Sequence, residues 1–356
     1  MPLSLPRSEL IAPAIGPQLH FSPFSEAGDR WLSFADSLPG AALYHRRPWI
    51  ELLRLAHAIH THVAALERDS QIVAGCLLAR SPGLFGTRMI SLPDTEVCPP
   101  LAVDDQAMET FLGLLAEHHA ARRGLEIHGV QAPPPWKTVN LFADWKIDMR
   151  RPPGVLHSAL DRDVRRNMRH ALARGIEVSQ GDSLEYLRRF YSLHLVTRRR
   201  LGMPPRPFSY LKAMHRIYSP DGSLSVWMAT RKGRDLAGLL VLRDGNALYA
   251  KSNARSADCP NGANHLVFVE VMDRFAGSVD TWHLGRVDVR NRGLSEFKRR
   301  LGAVPAPLPY AYLPHPPRNI SSEVPQGALR LVSQAVRRLP LWTTRVLGAV
   351  VYGFFV

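Results

Sequence analysis

Residues 224–252 read LSVWMATRKGRDLAGLLVLRDGNALYAKS. Leu224–Thr230 is strand-like, Lys232-Gly233-Arg234 turns, and Asp235–Leu242 returns as a second strand. Asp244-Gly245-Asn246 is a hairpin turn, because Gly and Asn tolerate positive φ, and Ala247–Ser252 is a third strand. Beyond it, Leu266, Val269, Met272 and Phe275 recur at helical spacing between Asn264 and Gly277, and Val279–Leu284 is strand-like again. The same order stands earlier in the chain. His62–Glu67 and Ile72–Ala79 flank Arg68-Asp69-Ser70 as a hairpin, and Arg88–Leu92 is a third strand. A helical pattern opens at Asp104/Asp105, runs through Met108, Phe111, Leu112 and Leu115 to Arg123, and is closed by Gly124. Leu125–Val130 is the last strand. Strand, strand, strand, helix, strand thus occurs twice, and two copies of one α/β unit are the simplest account.

Between the copies lie Pro133-Pro134-Pro135 and Pro152-Pro153. Proline has no amide to donate to a central strand, so a linker or edge segment is expected there. A helix is expected over Ser158–Arg174, with Leu160, Val164, Met168 and Leu172 on one face and Arg162, Arg165, Arg166 and Arg169 on another. A second opens at Asp182-Ser183-Leu184-Glu185 and runs through Leu187, Phe190, Tyr191 and Leu195 to Gly202.

Composition bounds these readings. The 356 residues carry 46% hydrophobic and 21% charged side chains, which excludes disorder for the bulk of the chain. The length suits two domains of about 150 residues each. Three widely spaced cysteines, Cys76, Cys98 and Cys259, exclude a disulfide framework and a four-cysteine zinc site, and point to a reduced, cytosolic compartment. The net charge is +14, and only six of the 45 basic residues are lysine. Arginine offers a planar fork to phosphate or carboxylate. An anionic partner such as tRNA, coenzyme A, a pyrophosphate-linked lipid or a membrane surface fits that excess; codon bias explains it equally well.

The termini differ. Pro2, Pro6, Pro13 and Pro17 break up the N-terminus, which has no basic segment followed by an apolar run, so residues 1–20 read as an extended leader rather than a secretory signal. From Leu339 to Val356 the only charge is Arg345, with Arg330, Arg337 and Arg338 just before it. This stretch is marginal for a span, which needs ~20 apolar residues. An interfacial segment with arginines at headgroup level and a helix docked on the protein's own core are the two competing readings.

No Walker motif, dinucleotide fingerprint or G-x-S-x-G elbow is present, and His57, His60, His62, His118 and His119 lack a zinc-type pattern, so no metal is expected. Cys259 has no activating base beside it in sequence. The informative segment is Thr281–Gly302, TWHLGRVDVRNRGLSEFKRRLG. A strand is expected to end at Leu284-Gly285, followed by an Arg/Asp-rich loop and a short amphipathic helix bearing Phe297-Lys298. Gly285 permits close backbone approach, and Arg286 and Lys298 put two cations near a strand end, where α/β sheets bind ligands. A basic surface loop anchored by Phe297 is the plain alternative.

These residues resemble the Fem-type peptidoglycan aminoacyltransferases and their relatives in the GNAT N-acyltransferase superfamily. The helix Arg165-Arg166-Asn167-Met168-Arg169-His170-Ala171-Leu172-Ala173-Arg174-Gly175 is similar to the family's basic helix. Phe190-Tyr191 through Arg199-Arg200-Leu201-Gly202, Tyr249-Ala250-Lys251-Ser252-Asn253, and Gly285-Arg286 with Gly293-Leu294-Ser295-Glu296-Phe297-Lys298 resemble three further family stretches. The resemblance covers about residues 20–315 and is most specific after residue 155. It departs at His283, where members often carry Asp, and at Leu301, where they favour an aromatic; no heptad arm is visible.

The resemblance implies an α/β (α+β) protein of two tandem GNAT-like domains, 21–152 and 153–315, each a mixed, mostly antiparallel sheet flanked by helices. A basic, apolar tail, 316–356, follows. It implies a transferase of cell-envelope biogenesis: an aminoacyl- or N-acyltransferase moving its group from aminoacyl-tRNA or acyl-CoA to an amine or hydroxyl of a peptidoglycan precursor or glycan. No permanently bound cofactor is implied. The partners would be an anionic donor, a lipid-linked or glycan acceptor, and an anionic membrane surface reached by the tail. The implied location is cytoplasmic, peripheral at the inner face of the membrane. Lys298 would stabilise an oxyanion or phosphate, supported by Arg286, with Asp288 as proton acceptor. Tyr249, Lys251, Asn253 and Phe297 would bind substrate in a cationic groove, and Arg165, Arg166 and Arg169 would hold phosphates. The alternatives are a GNAT-fold binding protein without chemistry and an arginine-driven nucleic-acid binder.

Overall fold

A computed structural model describes residues 16–83, 86–118, 124–316 and 333–354. The first half runs β1 (Gln18–Pro23), α1 (Phe24–Asp36), α2 (Arg47–His57), β2 (Thr61–Arg68), β3 (Gln71–Gly83), β4 (Gly86–Ile90), a two-residue β5 (Leu101–Ala102), α3 (Asp105–Glu117), β6 (Leu125–His128) and β7 (Lys137–Asp148). The second runs α4 (Pro153–Ala159), α5 (Arg162–Ala173), β8 (Glu177–Gly181), α6 (Leu184–Leu201), α7 (Phe208–Tyr218), β9 (Leu224–Arg231), β10 (Arg234–Asp244), β11 (Ala247–Arg255), α8 (Ala263–Phe275), β12 (Thr281–Asp288), α9 (Arg292–Arg300) and β13 (Val304–Leu313).

Local chemistry explains the elements. The β2–β3 turn uses Asp69 and Ser70, both at positive φ, as a two-residue hairpin requires. The Asp104 carboxylate caps α3 by accepting from the Ala107 amide at 2.7 Å. That helix ends at Glu117, where His118 turns to an extended conformation, short of the expected Arg123; residues 119–123 lie outside the described residues. The helix expected over Ser158–Arg174 is two helices. Asp161 accepts from the Asp163 amide at 2.9 Å and starts α5 afresh. Val164 is buried, whereas Leu172, expected on the same face, is exposed.

Among the described residues all strands join one sheet in the order β1-β2-β3-β4-β6-β13-β7-β12-β11-β10-β9-β8, with β5 beside β3. Two parallel pairs interrupt an otherwise antiparallel ladder, β4 with β6 and β11 with β12, each crossed over by a helix. The halves are reversed copies about the centre, but each has given its last strand to the other. β13 lies against β6 of the first half, and β7 lies against β12 of the second. β7 and β13 pair with each other from Lys137↔Tyr312 to Lys146↔Val304. The proline-flanked segment is therefore a central strand rather than a linker or edge: the prolines stand at 133–135 and 152–153 and none lies within Lys137–Asp148. The first strand likewise begins at Gln18, inside the stretch expected as leader, while residues 1–15 lie outside the described residues.

One face of the sheet carries a core common to both halves, where Trp31, Trp49 and Leu53 join Phe190, Tyr210, Met214 and Tyr249. On the other face the cores are separate, one around α3 and one around α8 with Trp282 and Leu266. Burial of this kind stabilises by roughly 25 cal/mol per Å² of apolar surface, so the common core binds the halves together.

Candidate active site between the halves

Strands β11 and β12 pair only at Ala247↔Thr281, Leu248↔Trp282 and Tyr249↔His283. Beyond Tyr249 they part. β12 instead follows β7 through a bulge between His283 and Gly285, and continues to Asp288 rather than ending at Leu284-Gly285 as expected. Gly285 sits in the bulge at φ +84, a conformation that glycine adopts without steric cost. The gap leaves backbone groups on both strands without ladder partners, and the side chains of Lys298, Lys251 and Glu96 converge on it.

Lys298 on α9 reaches the gap from the side of the α8 core. Its Nζ donates to the Gly285 carbonyl at 2.7 Å. The residue is only 6% exposed. Burial lowers its ammonium to about 8, although the charges of Asp144 and Glu96 work to raise it. Its neighbour Phe297 turns the other way, edge-on to Phe268 at 5.3 Å, and anchors α9 in the core.

Lys251 on β11 reaches the gap from the common-core side. It donates to Glu96 Oε2 at 2.6 Å and to the Tyr44 hydroxyl at 3.0 Å, and lies 4.3 Å from the Trp49 ring centroid. Glu96 and Tyr44 belong to the first half, so that half completes the gap of the second. Arg286 lies over the Phe142 ring at 4.5 Å and donates to the Tyr310 hydroxyl, which in turn donates to the Glu96 carbonyl at 3.1 Å. Arg206 and His57 hold Asp94 on the same loop as Glu96.

A cleft of about 570 Å³ opens beside the gap. Its floor is β7, β12 and β13, and its walls include Pro39–Ala42, Pro99 and the β10–β11 turn. A small pocket lies behind it and reaches Tyr44, Glu96 and Gly285. The two cavities share Val97, Asp144, Tyr249 and His283. His283 stacks on Tyr249 at 4.7 Å with the rings 6° from parallel, and its Nδ1 pairs with Asp144 Oδ2 at 3.1 Å. Burial opposes ionisation of Asp144, but hydrogen bonds and charge from His283 and Lys146 prevail and hold it below the usual carboxylate range. Burial pushes the Tyr249 phenol up. The cleft carries Arg46 and Lys146 but also Asp144, Asp244 and Asp280, so it is mixed in charge and not the cationic groove expected.

Of the residues singled out in the sequence, Lys298, Tyr249 and Lys251 border the gap, whereas Arg286 engages Phe142 on β7 and Tyr310 on β13. Asp288 does not join them: its carboxylate is taken by the Arg290 guanidinium and backbone amide. Asn253 donates to Gly238 O at 3.0 Å and Asn264 Oδ1 at 2.8 Å, tying β11 to β10 and α8. Arg165, Arg166 and Arg169 stand exposed on α5, with Arg166 paired to Asp163, and none lines the cleft. Glu96, Tyr44 and Asp144 were not singled out. They come from the other half of the chain, and no local spacing ties them to β11 or β12.

Two reversed halves, each with one parallel strand pair, form a tandem GNAT fold, and in the second half that pair parts beside a bulge. By sequence, residues 158–299 match the acetyltransferase (GNAT) domain family, a stretch that lies wholly in the second half. No curated protein matches the chain. Among solved structures, FemX is similar over 86% of this chain and 98% of its own, at 16% identity and a TM-score of 0.61. The C-terminal domain of a putative lysylphosphatidylglycerol synthetase from Agrobacterium fabrum is similar over 88% and 96%, at 14% identity and 0.53. A tandem GNAT protein from the clavulanic acid biosynthesis pathway is similar over 84% and 100%, at 12% identity and 0.50. At such identities the likeness is one of fold.

Proposed function

We propose that the protein transfers an aminoacyl or acyl group from aminoacyl-tRNA or acyl-CoA to an amine or hydroxyl of a cell-envelope precursor or glycan. The observation that carries this reading is the buried Lys298 ammonium held on the Gly285 carbonyl inside the β11–β12 gap. Attack on an acyl ester or thioester places negative charge on the former carbonyl oxygen, and a fixed cation in a dry site stabilises that charge far better than water-exposed lysine would. Both donors end in a phosphate-bearing carrier. Arg200 and Arg255 suit that carrier: they lie close enough to depress the Arg200 pKa after burial, and Thr197 ties α6 to the end of β11 beside them. α8 begins nearby, at Gly262, and its N-terminal amides add positive potential. Lys298→Ala is expected to reduce transfer by ~10²–10³ while the protein stays folded. Full activity in that variant would defeat the reading.

We also propose that the tail brings the site to an anionic membrane surface, with the protein peripheral at the cytoplasmic face. The C-terminal helix Leu341–Phe354 is docked on α6, with Gly348 against the Pro205 carbonyl and Thr344 buried. Its outer side leaves Trp342 71% and Val346 58% exposed, flanking Arg345. An exposed indole next to cations suits the headgroup layer. Among the described residues no helix is long and apolar enough to cross a membrane.

A further inference from the structure

His283 stands where the resembling family often has an acid, and the structure supplies an acid beside it from the other half of the chain. Asp144 and Lys146 are two apart on β7, so their side chains share a face of the sheet, and His283 pairs opposite Lys146 on that face. The Asp144 carboxylate is nearly buried and lies 3.1 Å from His283 Nδ1. The opposite nitrogen, Nε2, has no hydrogen-bond partner among the described residues, yet it is not among the buried polar atoms left unpaired. It is therefore open to a cavity. The ring lines both cavities, the large cleft on one side and the pocket leading to Gly285 on the other.

We propose that His283 and Asp144 form the proton-accepting dyad of the transfer reaction, placed where an acceptor in the large cleft meets an acyl group held near Gly285. This rests on the acyl-transfer reading above. An ionised Asp144 can only accept, so it fixes the proton on Nδ1 and leaves the Nε2 lone pair free. Nε2 takes the proton from the acceptor N–H or O–H as the acceptor's electron pair forms the bond to the acyl carbon. The C–O or C–S bond to the carrier then breaks, and the carrier leaves with that electron pair and recovers the proton from the imidazolium. His283 is the catalytic residue, and Asp144 is a positioning residue acting through it. The groups facing the ring are Asp144 and Lys146 from β7 and Tyr249 from β11, with Glu96 in the small pocket and Arg46 across the cleft. The dyad gives the departure at 283 a chemical meaning, because the acid is kept but moved to the partner strand.

The test uses the full chain with radiolabelled acetyl-CoA or bulk aminoacyl-tRNA as donor and an extract of cell-envelope precursors as acceptor pool, followed from pH 5 to 9. His283→Gln should slow transfer by ~10²–10⁴ and abolish the rise of rate with pH on the acidic side. Asp144→Asn should slow it less and shift that rise, and added imidazole should restore part of the rate to His283→Ala. Melting temperatures show whether each variant is folded. If His283→Gln keeps the wild-type rate and profile while Lys298→Ala is inactive, the dyad is wrong and the acyl-transfer reading stands. If wild-type protein transfers from neither donor, the reading itself falls and the dyad with it.

Discussion

Glu96 and Lys251, 155 residues apart, meet at 2.6 Å across the boundary between the halves. The lysine is nearly buried and sits over the Trp49 and Tyr44 rings, so neither charge can be removed without leaving the other poorly solvated. Lys251→Met is expected to destabilise the fold by about 3 kcal/mol, the low end for a broken buried pair because Glu96 keeps some contact with water. The double variant Lys251→Met/Glu96→Leu should recover most of that loss. Denaturant titration of both single variants and the double variant decides it; a double-variant loss equal to the sum of the two single losses would show that the pair is not coupled.

Lys298 titrates at about 8 in the folded protein against an ordinary 10.5. The unfolded chain then binds more protons between these values, so this group makes stability rise with pH across that window. For the reaction the sign is opposite. Loss of the ammonium removes the stabilising charge, and the rate should fall as pH rises through about 8. Lys298→Arg should move this fall to higher pH. A rate that is flat from pH 7 to 10 in the wild type would show that the charge is not used.

Gly262 and Gly285 both have positive φ but differ in their surroundings. A Cβ at Gly262 would stand 2.1 Å from the Asn167 carbonyl oxygen, whereas at Gly285 the nearest atom is 3.9 Å away. Gly285→Ala should cost only the conformational strain, ~1–2 kcal/mol. It should also lower activity by moving the carbonyl that holds Lys298. Gly262→Ala should cost more, because α8 must move off α5. Comparing their melting temperatures checks the order.

Trp342 and Val346 face outward from a helix that is otherwise docked. Trp342→Asp with Val346→Asp should weaken binding to vesicles containing phosphatidylglycerol while leaving the melting temperature unchanged. Deleting residues 325–356 should release the protein altogether. Unchanged cosedimentation in both would refute a membrane role for the tail.

The repeated order of strands was legible because each hairpin carries its own turn chemistry: Asp69-Ser70, Lys232-Gly233 and Gly245 all take positive φ where the sequence places turns. Lys298 and Gly285 were legible because strand, bulge and α9 lie within one short segment. β7 was misread because flanking prolines look like a linker when the strand's partners, β12 and β13, lie far along the chain. Glu96, Tyr44 and Asp144 escaped for the same reason, since tertiary pairing rather than local pattern brings them to the gap. Asp288 was a plausible base by proximity in sequence, but Arg290, two residues on, occupies it.

The exchange of β7 and β13 bears on engineering. Neither half keeps its own last strand, so each is an incomplete sheet without the other, and the short segment from β7 to α4 is the tether between two interdependent pieces. Cutting the gene at that tether should therefore yield two fragments that are insoluble apart and recover their shape only when produced together.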